Sequence, residues 1–246
     1  MRSSRLLLLA SLVSLASLAH ASLVAWFPLA GSPQEALRGT EGKFEGDSQM
    51  GAVDAMKSLG LGGKNGVLFY PDLPQFELGP SFSISAKVWV RENPVGGTSP
   101  AGQIVFRGDD RCGLDNYSLS LGNDGFYTFS VYSDGDDSGG VRAPSIKNRW
   151  QTLLGTFDAR SKDMKLYIDG VLVSESSVNI LPVVKMDSQW TPGFSIGNVQ
   201  NPLGGMHNQP FNGFIRDVRL YNNVIFWDDL RIMPVNGDRS VPHGLW

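Results

Sequence analysis

Residues 82–91, FSISAKVWVR, alternate without a break. Phe82, Ile84, Ala86, Val88 and Val90 share one face. Ser83, Ser85, Lys87, Trp89 and Arg91 share the other. A period of two is the geometry of a β-strand, in which successive side chains point to opposite faces. A helix would scatter these apolar residues around its axis and leave no face to bury. The stretch therefore predicts a strand whose first face lies in a core.

The same period recurs along the chain. In NYSLSL, Tyr117, Leu119 and Leu121 fall together. In FYTFSVY, Tyr127, Phe129 and Val131 oppose Phe126, Thr128, Ser130 and Tyr132. Asn123-Asp124-Gly125 between them predicts a β-hairpin. WQTLLGTF, MKLYI and VLVSE read as three more strands, the last two joined by Asp169-Gly170 in a type I′ turn. Gly155 interrupts the first of these, which implies a bulge or close packing by a neighbour. GFSIGN and NGFIRDVRLYNN add two strands. The 29 glycines and 14 prolines fall mostly between such runs, as turn chemistry requires. Long amphipathic helical patterns are missing. About ten to twelve strands are expected, in two packed antiparallel sheets of an all-β sandwich. Ile225, Phe226, Leu230 and Ile232 are expected to form one or two helical turns that dock on it.

Arg2 and Arg5 precede an apolar run from Leu6 to Leu18, and Ala19-His20-Ala21 follows. This pattern predicts a secretory signal peptide cleaved after Ala21, since the run is too short for a good membrane span. The expected organisation is a signal peptide at 1–21, one domain at 22–227 and a tail at 228–246. No second apolar span follows, so the mature chain is expected to be secreted or periplasmic. The formal net charge is −3, and removing both leader arginines makes the remainder more acidic. Nucleic acid is therefore not an expected partner. Cys112 is the single cysteine. It has no internal partner for a disulfide, so the core itself must supply stability.

Four segments carry a family likeness. LVAWFPLAG at 23–31 looks like an opening strand, and SFSISAKVWV is similar to FSISAWV. RWQTLLGTFDARSKDMKLYIDGVLV is close to a W-H-H-V-A-G-T-Y-D pattern followed by L-K-L-Y-V-D-G. FNGFIRDVRLYNN resembles the closing FNGLIDEVRIYN. The chain thus resembles the concanavalin A-like lectin/glucanase superfamily, and within it the bacterial laminin-G-like domains. The resemblance implies jelly-roll topology. It says little of function, because this fold hosts lectins, adhesion modules, glycosidases and lyases. Two histidines of the pattern are Gln151 and Thr152 here. The strand tryptophan has moved from the position of Lys87 to that of Trp89, one full strand period, so the indole stays on the same face. Arg216 stands where the pattern has Asp. Asp217 remains, and is expected to pair with a neighbouring arginine. Trp26 and Trp150, at strand ends matched by the pattern, are expected in the core.

Glycosidases of this fold carry an E-x-D-x-x-E pattern on one strand, which is absent here. Glycoside hydrolysis needs an acid and a second carboxylate flanking the bond, and no strand carries a suitable pair. His207 lies in the loop LGGMHNQP, without an evident orienting partner. No catalytic residue is therefore assigned. Two acidic loops carry hard oxygen ligands that suit Ca²⁺. The first holds Asp109, Asp110 and Asp115, and is the candidate metal site. The second holds Asp134, Asp136 and Asp137, with Ser145 where a calcium-binding helix–loop–helix would need its last Glu.

Sugars present apolar C–H faces and hydroxyl edges, so a site for them combines aromatic rings with nearby polar groups. Trp89 is the anchor expected here. Phe126 and Tyr132 are expected to share its face from another strand, Trp190 to wall one side, and Arg107 and Asn116 to supply polar contacts. The expected function is non-catalytic recognition of a glycan or extracellular surface. The alternatives are an adhesion or structural protein that binds another protein, and a polysaccharide-active hydrolase or lyase with an unrecognised site.

Overall fold

The computed structural model describes residues 23–95, 101–108, 115–133, 137–183, 193–199 and 208–232. Fifteen strands lie among them: β1 (Leu23–Phe27), β2 (Lys43–Glu45), β3 (Ser48–Val53), β4 (Met56–Gly62), β5 (Val67–Tyr70), β6 (Phe82–Val90), β7 (Ala101–Arg107), β8 (Tyr117–Gly122), β9 (Phe126–Tyr132), β10 (Ser138–Pro144), β11 (Trp150–Asp158), β12 (Asp163–Ile168), β13 (Val171–Ser177), β14 (Phe194–Ile196) and β15 (Asn212–Tyr221). One short helix follows, α1 (Trp227–Ile232).

Two antiparallel sheets form a sandwich with jelly-roll architecture. The first runs β13-β12-β11-β6-β15-β4-β3, with β1 also paired to β15. The second runs β10-β9-β8-β7-β14-β5-β2. Alternation decides which residues lie between them. Phe82, Ile84, Ala86, Val88 and Val90 of β6 are buried against Tyr117, Leu119, Leu121, Tyr127, Phe129 and Val131 of β8 and β9. Phe27, Phe76 and Phe194 stack at one end, with Phe76–Phe194 centroids 4.6 Å apart. Burying each such ring stabilises the fold by about 1.5–3 kcal/mol.

Gly155 serves close packing rather than a bulge. The register of β11 is continuous against both neighbours, and a Cβ at Gly155 would fall 2.5 Å from the Phe129 ring of the facing sheet. Asp169 and Gly170 both take positive φ, 50° and 92°, as a type I′ turn requires.

β15 is bent by a register shift between Arg216 and Arg219, where Asp217 takes a φ of 48°. Before the shift one edge of β15 pairs with β4, and after it the same edge serves β1. Asp217 accepts from Arg219 Nε at 2.8 Å and Nη2 at 3.1 Å, and from Trp26 Nε1 at 2.8 Å. The expected arginine partner of Asp217 is thus Arg219. Trp26 is buried as expected, although outside the cluster between the sheets, whereas Trp150 does not join the core. Trp26 is buried on the outer side, with the Arg219 guanidinium 5.8 Å from its ring centroid. Trp150 is half-buried on the outer side of β11.

The segment after β15 covers part of the first sheet's outer face. Ser83 Oγ donates to Asn223 O and accepts from Ile225 N. Ile225, Trp227 and Leu230 pack on Leu154, Tyr167 and Tyr221. Phe226, expected to dock with them, is 71% exposed.

Candidate functional site

The outer face of the first sheet is divided. Ser83 and Ser85 of β6 are buried, whereas Lys87 and Trp89 of the same row are half-open. Trp89 sits opposite Trp150 of β11 on one side and Phe214 of β15 on the other. Next across the sheet comes Gly60 of β4, opposite Phe214, and then Gln49 of β3. Three aromatic side chains therefore stand on adjacent strands in one row and give way to a floor without side-chain bulk. A Cβ at Gly60 would lie 3.2 Å from the Phe214 ring, so the glycine lets that ring approach the sheet closely.

Trp89 and Phe214 meet at 5.7 Å and 74°. The Arg91 guanidinium lies 5.0 Å from the Phe214 centroid, and its Nη1 donates to Asn212 Oδ1 at 2.9 Å. Arg91 and Phe214, with Asp47, Gln49, Gly51 and Gly60, line a groove of about 270 Å³. The indole N–H groups of Trp89 and Trp150 are both out of contact with solvent and meet no acceptor among the described residues. One residue period from the aromatic row, Lys87 is paired across the ladder with Arg216 and with Thr152.

Phe126 and Tyr132 do not share the face of Trp89. Both point outward, as the alternation predicts, but from β9 in the other sheet. They lie on the opposite outer surface of the sandwich. Phe126 is 38% exposed, under the Arg142 guanidinium at 5.1 Å. The Tyr132 hydroxyl lies 3.2 Å from Ser118 Oγ, and burial pushes its phenol pKa up.

Arg107 and Asn116 are brought together, but inside the protein. Arg107 is fully buried and Asn116 nearly so. Arg107 Nη1 donates to Asn116 Oδ1 at 3.0 Å, and Nε donates to Asp72 Oδ1 at 3.1 Å. A buried guanidinium needs such partners, and both residues lie in the interior instead of on the outer surface where they were expected. Trp190, Asp109, Asp110, Cys112 and His207 lie outside the described residues. Asp115 is half-buried, two residues before β8 begins. Among the described residues no three His, Cys, Asp or Glu side chains gather to hold a metal ion.

The sequence reading missed Phe214, Gly60 and the outward position of Trp150; it placed Arg91 on the face of Trp89 but not among the site residues. Their signal lay in strand pairing, which places residues from 61 to more than 150 positions apart side by side. It also passed over Asp158 and Asp163, cross-strand partners that line a separate cleft with Thr156, Lys165 and Tyr167. Asp158 Oδ1 accepts from Arg160 N at 2.9 Å, which closes the hairpin turn.

The comparisons agree with this architecture. Domain 4 of AbnA, a GH43 extracellular arabinanase from Geobacillus stearothermophilus solved with arabinotriose, superposes with a TM-score of 0.60 at 19% identity. The match covers 82% of this chain and 93% of that one. The CBM40 of an IT-sialidase from Ruminococcus gnavus, solved with α2,3-sialyllactose, gives 0.53 at 16% identity over 70% of this chain and 92% of that one. The binding domain of botulinum neurotoxin DC, in complex with SialylT, gives 0.59 at 15% identity over 86% of this chain. This chain spans about half the length of that toxin domain, 50%. No curated protein matches the chain. A family model for the concanavalin A-like lectin/glucanases superfamily matches residues 61–231. With most of its length matched and two antiparallel sheets of the expected form, the chain belongs to the concanavalin A-like lectin/glucanases superfamily.

Proposed function

We propose that this protein is a secreted, non-catalytic carbohydrate-binding module whose ligand lies on the outer face of the first sheet. The observation that carries the proposal is the row Trp150–Trp89–Phe214 on three adjacent strands. Strands lie about 4.8 Å apart, so the row forms a ledge about 10 Å across. Such a ledge fits the apolar face of a sugar chain, and the flanking Lys87, Arg91 and Gln49 fit its hydroxyl edge. The arabinanase domain and the sialidase CBM40, which share the fold, were solved with sugars. Export belongs to the same proposal and rests on the leader-like residues 1–21. No helix among the described residues is long and apolar enough to cross a membrane.

A pull-down on immobilised polysaccharides tests the reading. The intact domain is expected to be retained, and Trp89→Ala or Trp150→Ala to weaken retention at least tenfold. Equal retention of all three proteins would contradict it. Release of reducing ends or unsaturated products from the same polymers would contradict the non-catalytic part. Calcium at Asp109, Asp110 and Asp115 is part of the proposal on ligand chemistry alone. A chelator should then lower Tm, because an ion bound to the native state stabilises it.

A second reading has its own observation. β13 ends the first sheet, and Val171, Leu172 and Val173 along it are 63%, 42% and 40% exposed. An apolar edge strand is a template for strand addition by another protein. Retention of a protein partner that Leu172→Lys abolishes, with no retention on any polysaccharide, would favour it.

A further inference from the structure

We infer that the ligand of the aromatic face is an acidic glycan, its carboxylate or sulfate lying over Lys87 and Arg216. The inference rests on the carbohydrate reading and narrows it to a chemical class. Lys87 on β6 and Arg216 on β15 are directly opposed in the ladder. Both are half-buried on the outer face. Like charges in directly opposed positions destabilise a sheet, and partial burial removes some of the water that would screen them. Nothing among the described residues offsets this, since neither side chain takes part in an ion pair or hydrogen bond there.

The carboxylates in neighbouring positions are engaged elsewhere. Asp217 holds Arg219 and Trp26. Asp169 holds Arg149 and the backbone N–H of Thr152. Glu92 holds Lys147 at 3.0 Å. Thr152, the other cross-strand neighbour of Lys87, carries no charge. The chain as a whole is acidic, at −3, so two unanswered cations side by side are not a sample of a generally basic surface. They form a local anion site.

The aromatic row gives that site its glycan context. Trp89 and Lys87 share a face of β6 one strand period apart, about 7 Å. A sugar ring stacked on Trp89 therefore places an acidic substituent, its own or the next residue's, within reach of Lys87 and Arg216. A guanidinium and an ammonium together suit a planar carboxylate or a sulfate through charge-assisted hydrogen bonds.

The test uses matched polymers: polygalacturonate with its carboxyl-reduced form, and dextran sulfate with dextran. Affinity is read by native affinity electrophoresis, and Tm of each unliganded variant is recorded. The expected result is at least tenfold preference for an acidic polymer over its neutral counterpart. Lys87→Gln and Arg216→Gln should each abolish the preference, while Arg142→Gln on the opposite face leaves it intact. The acidic polymer bound more tightly assigns the anion as carboxylate or sulfate. Each Gln variant should also keep or raise Tm without ligand, because it removes a repulsion; a fall in Tm would show a structural role and count against the inference. Equal binding of acidic and neutral polymers, unchanged by either substitution, would overturn the inference and leave the carbohydrate reading standing. No binding to any of the four polymers would overturn both.

Discussion

The indole of Trp89 meets the phenyl ring of Phe214 edge to face, with centroids 5.7 Å apart and planes at 74°. The two residues come from β6 and β15, and only the antiparallel register makes them neighbours. Edge-to-face pairing contributes about 0.5–1.5 kcal/mol beyond the area buried. It also holds the indole in one orientation, so that a ligand meets a surface that is already ordered and loses less side-chain freedom on binding.

Gly155→Ala should destabilise the fold without touching the aromatic face. The added methyl would lie 2.5 Å from the Phe129 ring in the facing sheet, and overpacking of this kind costs about 1–3 kcal/mol. A urea titration should show a lower midpoint at unchanged slope. An unchanged midpoint would mean that the sheets can separate locally at no cost.

Asp72→Ala should be among the most costly substitutions in the chain. It removes one of the partners of the buried Arg107 guanidinium, and breaking a buried pair from one side costs about 3–5 kcal/mol. Chemical denaturation would measure it. If Asp72→Ala stays as stable as the parent while polysaccharide retention falls, Arg107 belongs to a ligand site after all.

High pH should unfold the protein cooperatively. Burial pushes the phenols of Tyr70, Tyr117, Tyr127, Tyr132 and Tyr221 above their ordinary value of 10.0. The folded state holds these protons where the unfolded state would release them. Stability is therefore full below about pH 10 and falls as pH rises beyond it. Tyrosinate absorbance and the loss of near-UV circular dichroism should rise together. Titration of these five tyrosines near pH 10 with the fold intact would contradict the burial of their side chains.

Much of the sandwich was legible because single strands carry their own signal. Phe82 to Val90 alternate, and Tyr127, Phe129 and Val131 do the same, so their inward faces could be read one strand at a time. Six strands were not named from the sequence, and for five of them the reason is physical. β3 and β4 are joined at Asp54-Ala55, both at positive φ, 49° and 62°, with no glycine to mark the turn. β10 carries Gly139, Gly140 and Pro144, which read as loop. β2 has three residues and β5 four, too short to show a period. The expected site mixed two surfaces because alternation reveals that a residue faces outward, not from which sheet. Phe126 and Trp89 both obey the pattern and end on opposite sides of the molecule. Arg107 and Asn116 looked like surface polar groups because nothing local announces a buried ion pair whose acid, Asp72, follows a different strand.

The most direct test compares the two outer faces in one binding experiment. Trp89→Ala on the first sheet and Phe126→Ala on the second are titrated by calorimetry with polygalacturonate, dextran sulfate and their neutral counterparts. The account predicts at least tenfold weaker binding for Trp89→Ala and parental affinity for Phe126→Ala. Parental affinity in Trp89→Ala, with binding lost in Phe126→Ala, would contradict it.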